Sequence, residues 1–168
     1  MIILTINSFI HFYKIATKNT TEGLLQAYID SNEELGIKQL LGVELGDLFI
    51  ADLIAGVPQD ARFVAIFNPF IDDDALGQSK GMKAMLTSFV YYQYIKNSQS
   101  VSTQSGVSTL GTEAGKIVTF ENAVRSAEVR FNDGLETFYS IRKYIQENQS
   151  TYPEFKGVII SPVYSPIL

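Results

Sequence analysis

Apolar residues recur at threes and fours along most of the chain, and that pattern predicts helices. In "NTTEGLLQAYIDSNEELGIKQLLG", Leu24, Leu25, Tyr28, Ile29, Leu35, Leu40 and Leu41 share one apolar face. Thr20 or Thr21 caps this first helix and Gly42 stops it. Residues 30–32 mark a place where polar side chains compete for backbone bonds, so a break is expected there. "VELGDLFIADLIAG" predicts a second helix, with Leu45, Leu48, Phe49, Asp52 and Leu53 in period and Gly56 and Pro58 as its end. "QDARFVAIFNPF" predicts a short apolar helix stopped before Pro69.

A longer helix is expected from about Leu76 to Asn97. Met82, Met85, Leu86, Phe89 and Val90 fall at helical spacing, while Tyr91, Tyr92, Tyr94 and Ile95 widen the apolar surface. Such a helix is covered on more than one side. The clearest pattern runs from Phe120 to about Asn148, where Phe120, Val124, Ala127, Phe131, Leu135, Phe138, Ile141 and Ile145 step along one stripe. Arg130, Asp133, Glu136 and Arg142 lie on its polar remainder, read as solvated or interfacial. Gly134 interrupts this helix at a cost of ~1 kcal/mol relative to Ala, which points to close packing against another backbone.

The flanking and connecting segments break the helical period. "MIILTI" reads as a strand or extended arm, and "NSFIHFYKIAT" as a short helix capped by Asn7 or Ser8. "NSQSVSTQSGVSTLGTEAG", residues 97–115, is a polar strip between the two best helices. Pro153, Pro162 and Pro166 forbid a long helix at the end of the chain. No charged side chain follows Lys156, so this apolar tail is expected to pack on its own domain or on another chain. The expected organisation is a single domain over 1–168, with an N-terminal arm (1–18), an insertion (98–118) and an extended tail (157–168).

Composition narrows the function. The chain has 168 residues, 46% hydrophobic and 18% charged, a globular balance. It has no cysteine, which excludes disulfides and thiolate metal sites. With 13 basic against 18 acidic residues, a net charge of −5 and a pI near 4.8, it lacks the cations that grip nucleic acid. The first 18 residues have no basic leader region or cleavage site, and no stretch reaches membrane-spanning length. A soluble, unprocessed protein is expected.

Chemistry is sparse. The one histidine, His11, lies in an apolar run and reads as a packed or surface residue. Asp72, Asp73 and Asp74 lack metal-loop spacing and read as helix capping. Gly106, Gly111, Gly115 and Lys116 fail the phosphate-loop pattern, because Ile117 follows the lysine. The Tyr91, Tyr92 and Tyr94 cluster lacks the surrounding basic residues of a base-stacking site and reads as packing or an interface. No catalytic residue, cofactor or metal is expected, and the protein is read as a non-enzyme.

The order of features resembles the head–tail connector (neck adaptor, or ring) proteins of tailed bacteriophages, including those of crAss-like phages. The resemblance covers roughly residues 16–155. It is carried by "IATKNTTEGLLQAYIDSNEELGIKQLLG" with Ile29 and Leu35 inward, by "VELGDLFIADL", by "KGMKAMLTSFVYYQYIKN" and by "YIQENQSTYPEF". Gly46 departs from it, since a larger side chain is expected at that point of the second helix.

The resemblance implies an all-α fold: a helical bundle with a long polar insertion loop or β-hairpin between the last two helices, and an extended C-terminal tail. It implies a structural virion protein, assembled in the host bacterial cytoplasm and located in the phage neck. There it forms a homo-oligomeric ring that joins the portal protein to the tail or further neck proteins. DNA passes along the axis without sequence-specific binding, and no membrane is involved. The insertion would dock through Val101, Ser102, Thr103, Gln104, Ser105, Gly106, Val107 and Leu110. The alternative is a hairpin that packs on its own domain, turning at Gly106 or Gly111. Tail contacts to a neighbour would come from Val158, Ile159, Ile160, Val163, Tyr164, Ile167 and Leu168. Channel-lining candidates are Glu113, Asp72, Asp73 and Asp74.

Three rival readings use the same helices. One is another virion role, in tail completion or capsid stabilisation. Another is a small helical ligand-binding or enzymatic domain, which requires His11, Lys80, Lys83 or the aspartates to converge on a pocket. The third is a cellular adaptor that binds a partner helix.

Overall fold

The computed structural model describes residues 2–9, 19–71, 78–98, 101–103, 106–108 and 120–156; among these, apolar residues at helical spacing build five helices besides the helical turn at 7–9. These are α1 (Asn19–Leu41), α2 (Val43–Asp52), α3 (Ala61–Phe67), α4 (Met82–Ser98) and α5 (Phe120–Glu147). Three two-stranded antiparallel ladders punctuate them: β1 (Leu53–Ile54) with β2 (Val57–Pro58), β3 (Phe70–Ile71) with β4 (Gln78–Ser79), and β5 (Val101–Thr103) with β6 (Gly106–Ser108). The architecture is therefore mostly helical, with two short ladders, β1–β2 and β3–β4, that the all-α expectation did not include.

As expected, α4 is covered on more than one side. It packs chiefly against α5 and also against α1, and buries Met82, Met85, Leu86, Phe89, Val90, Tyr91, Tyr92 and Tyr94. The tyrosine cluster is thus core: Tyr92 stacks at a tilt on Phe131 of α5, with centroids 4.9 Å apart. Ala127, Phe131, Phe138, Ile141 and Ile145 form the expected buried stripe of α5. One hydrophobic cluster runs through all five helices. Gly134 lets α5 approach closely, but the neighbours are side chains instead of the expected backbone. A Cβ there would lie 2.9 Å from Phe89 Cε1 and 3.0 Å from Ser88 Cβ.

The expected break in α1 is absent. Ser31 Oγ donates to the Ala27 carbonyl at 2.7 Å and Asn32 Nδ2 to the Tyr28 carbonyl at 2.8 Å. Both side chains bond back one turn, so the helix continues. Leu35, expected inward, is 46% exposed, and Leu24 is also exposed. The buried side of α1 is instead set by Leu25, Ile29, Glu33, Gly36, Ile37 and Leu40. Gly42 ends α1 as expected, at φ +81°. Gly46 has a reason of its own: a Cβ would lie 3.3 Å from Lys38 Cγ and 3.4 Å from Lys38 Cα. The small residue seats α2 on the end of α1.

Two helix boundaries differ from the sequence reading. α2 stops at Asp52, because Asp52 Oδ2 accepts the N–H groups of Gln59 (2.7 Å) and Asp60 (2.9 Å) and folds the chain back. Ala55 at φ +51° and Gly56 at φ +79° make the two-residue turn between β1 and β2. α4 begins at Met82 instead of Leu76, after the β3–β4 ladder and Gly81 at φ +87°. α3 starts on Asp60, whose Oδ1 accepts the Arg62 N–H at 2.9 Å, and stops before Pro69 as expected.

The N-terminal segment is not a free arm over residues 2–9. Ile3, Leu4 and Phe9 are buried in the common core. The buried Glu33 carboxylate accepts the backbone N–H groups of Ile2, Ile3 and Leu4. Residues 7–9 form a helical turn, in which the Ser8 N–H donates to the Thr5 carbonyl at 2.8 Å.

Candidate functional site

The predicted interaction residues fall partly inside the described chain. Val101, Ser102 and Thr103 form β5, while Gly106 and Val107 lie in β6. The register pairs Val101 with Ser108, Ser102 with Val107 and Thr103 with Gly106. The backbone thus pairs the two strands antiparallel, and Gly106 opens the return strand instead of making the turn. Gln104, Ser105, Leu110 and the tail residues Val158, Ile159, Ile160, Val163, Tyr164, Ile167 and Leu168 lie outside the described residues, as do His11, Asp72, Asp73, Asp74 and Glu113.

The segment leading to the tail is firmly held. Tyr152 donates its hydroxyl to the Arg62 carbonyl at 2.6 Å, and Arg62 Nη1 reaches Glu154 Oε2 at 3.1 Å. Burial pushes the Tyr152 phenol well above its usual value. Phe155 is buried beside Arg142, whose guanidinium lies 5.5 Å from the rings of both Phe138 and Phe155. Desolvation there lowers the Arg142 pKa. Lys156 Nζ meets Glu44 Oε2 at 2.6 Å, and that hydrogen bond raises the lysine pKa. The described chain thus ends beside the start of α2.

A further concavity lies elsewhere. A cleft of about 790 Å³ opens where residues 5–8, the α3–β3 link, the start of α4 and the middle of α5 meet. Gly81 forms its corner: a Cβ there would lie 2.9 Å from the Phe67 carbonyl oxygen, so the Phe67–Pro69 backbone comes right up to it. The charged residues lining it are Lys80, Lys83, Arg130 and Asp133. Lys80 Nζ meets Asp133 Oδ2 at 3.3 Å, and Arg130 Nη1 meets the same oxygen at 3.9 Å. The Lys80 N–H also donates to Thr137 Oγ1 at 3.3 Å, which ties β4 to α5.

The sequence pointed to Lys80 and Lys83 only as members of a rival pocket, and the cleft does bring them together. It did not connect them with Arg130 and Asp133, which the periodicity assigned to a solvated or interfacial face. A weak signal existed: Lys80 and Lys83 bracket the start of a helix whose first turn has no acidic residue. Among the described residues, no group of three or more His, Cys, Asp or Glu could hold a metal ion. Among them, no helix is long and apolar enough to cross a membrane. No protein-family model, curated protein or solved structure matches the chain.

Proposed function

We propose that the chain is a structural, non-catalytic subunit of a bacteriophage neck, forming a homo-oligomeric ring that joins the portal to the tail around the DNA channel. The observation that carries this reading is the division between the helical core and the paired strands β5 and β6. The helices share one hydrophobic cluster, whereas the principal contact of β5 is with β6. A segment that pairs with itself while its flanking helices pack together is available to dock on a portal, a further ring or a neighbouring subunit. The order of sequence features shared with connector proteins supports the same reading. The net charge of −5 suits a conduit that DNA must cross without sticking.

Electron microscopy of the assembled particle, or of the chain with its portal, tests this. A closed ring on the portal axis is expected, with residues 101–108 at a contact. A position off that axis would favour tail completion or capsid stabilisation instead.

The cleft bounded by Lys80, Lys83, Arg130 and Asp133 favours a second reading, a small helical ligand-binding domain. That reading requires a single folded copy to bind its ligand without forming a ring.

A further inference from the structure

Exposed apolar side chains collect where α2 gives way to the β1–β2 hairpin. Ile54 is 67% exposed, Val57 52% and Leu48 42%, and Ala51 and Ala55 are exposed too. Leu48 and Ala51 stand one turn apart on α2, and Ile54 and Val57 are register partners across the hairpin. The hairpin tip is held in place. Gly56 packs so close to the N-terminal segment that a Cβ would lie 2.9 Å from the Ile2 carbonyl oxygen, and that segment is clamped by Glu33. The charges along this surface are already compensated. Asp47 pairs with Lys38 at 2.9 Å, and the Asp52 carboxylate accepts from the Gln59 and Asp60 N–H groups. Covering the patch therefore strips water from little uncompensated charge, as suits an apolar contact surface.

We propose that this patch receives residues 157–168 of a second copy of the chain. The chemistry of that segment matches: it carries no charged side chain, and eight of its twelve residues are Val, Ile, Leu or Pro. The path of the described chain points to a neighbour's segment instead of the subunit's own. Tyr152 and Glu154 are anchored to Arg62 at the start of α3, next to Asp60, which the Asp52 carboxylate ties to the end of α2. Lys156 is anchored to Glu44 at the start of α2. Residues 152–156 thus run back along α2, away from the hairpin. Glu44 and Asp52 lie about 12 Å apart along the helix axis. The chain therefore passes Lys156 at the opposite end of α2 from the hairpin tip. A donor segment at one end of a subunit and a receiving patch at the other make a head-to-tail contact, the kind that repeats around a closed ring. Twelve residues span up to about 40 Å when extended, enough to cross to a neighbouring subunit. The inference rests on the ring reading for its second copy, and names the surface which that copy presents.

The chain has no cysteine, so engineered thiols report this contact without background. Full-length Val57→Cys is mixed with full-length Ile159→Cys, Val163→Cys or Ile167→Cys, one partner bearing a mass tag, and the mixture is oxidised. A covalent heterodimer is expected on a non-reducing gel for at least one of the three pairings. Ile71→Cys, on β3 and 76% exposed, should give none with the same partners. Ile54→Asp should weaken association by at least about tenfold in sedimentation, with wild-type helix content. Absence of a cross-link from all three tail positions overturns the proposal, and so does equal cross-linking through Ile71→Cys. A bridge that forms only within one molecule, when Val57→Cys and a tail cysteine share a chain, overturns it too, because the segment would then cover its own subunit. Electron microscopy separates this contact from the ring itself. Closed rings without cross-links keep the ring reading and remove the contact. Cross-linked copies that never close into rings keep the contact and overturn the ring reading.

Discussion

Glu33 and Leu4 are joined across the core by a 2.5 Å hydrogen bond, from the Leu4 N–H to the Glu33 carboxylate. The same carboxylate accepts from Ile2 and Ile3, and both Glu33 and Leu4 are buried. One acidic side chain of α1 therefore satisfies three consecutive backbone donors of the N-terminal segment. Glu33→Ala would leave buried N–H groups without acceptors, at about 1–3 kcal/mol each. A loss of roughly 3 kcal/mol or more is expected in urea denaturation, with an unchanged slope. Glu33→Gln keeps one acceptor oxygen and should recover part of that loss. Wild-type stability in Glu33→Ala would show that the clamp does not hold the segment.

Two helical glycines should respond with opposite signs. Gly134→Ala gains helix propensity, about 1 kcal/mol. Against that, the new Cβ would lie 2.9 Å from the Phe89 ring. That ring cannot swing away, because it is buried and packs 5.0 Å from Phe131 and 6.3 Å from Phe138. Overpacking costs about 1–3 kcal/mol, so the variant should be less stable. A Cβ at Gly23 meets nothing within 4 Å, and Gly23→Ala should stabilise by up to about 1 kcal/mol. Thermal unfolding of the two variants side by side checks both signs.

Those glycines also mark how far the sequence could be read. Helix identity was legible because the apolar stripes of α1, α4 and α5 repeat over many turns. The boundaries were not, because each is set by a partner that periodicity does not encode. Leu53 and Ile54 continue the apolar pattern of α2, yet the Asp52 carboxylate caps the N–H groups of Gln59 and Asp60 and turns the chain. Leu35 fits a helical face, yet the inward position two residues earlier, on the opposite side of the helix, went to Glu33, whose partners lie some thirty residues earlier. The cleft was legible only at Lys80 and Lys83. Its other walls come from residues 5–8 and from α5, and only folding brings those together.

Tyr152 should give the protein an alkaline limit. Its hydroxyl donates to the Arg62 carbonyl, and burial raises its pKa above the usual value near 10. The neutral phenol is favoured in the folded state. Its contribution is therefore complete below pH ~10 and falls as pH rises beyond that, where the unfolded phenol ionises and the folded one does not. Tyr152→Phe should cost about 1 kcal/mol at neutral pH through the lost hydrogen bond. It should also flatten the decline in stability above pH ~10 relative to wild type. Parallel alkaline slopes for the two proteins would assign that decline to other tyrosines.

Deletion of residues 101–110 separates docking from folding. The deleted stretch contains β5 and β6, whose principal contact is with each other, so its removal takes away little of the shared core. Shortening a connection also lowers its closure entropy slightly. Helix content and thermal stability should stay near wild type while ring assembly is lost. Truncation after Gly157 asks the same of the tail. It keeps Tyr152, Phe155 and the Lys156–Glu44 pair, so the core contacts that precede the tail remain. The truncated chain should fold as before and fail to assemble, as judged by sedimentation and electron microscopy. Collapse of the fold in the first variant would assign residues 101–110 to the core. Intact rings of a destabilised subunit in the second would make residues 158–168 part of their own domain.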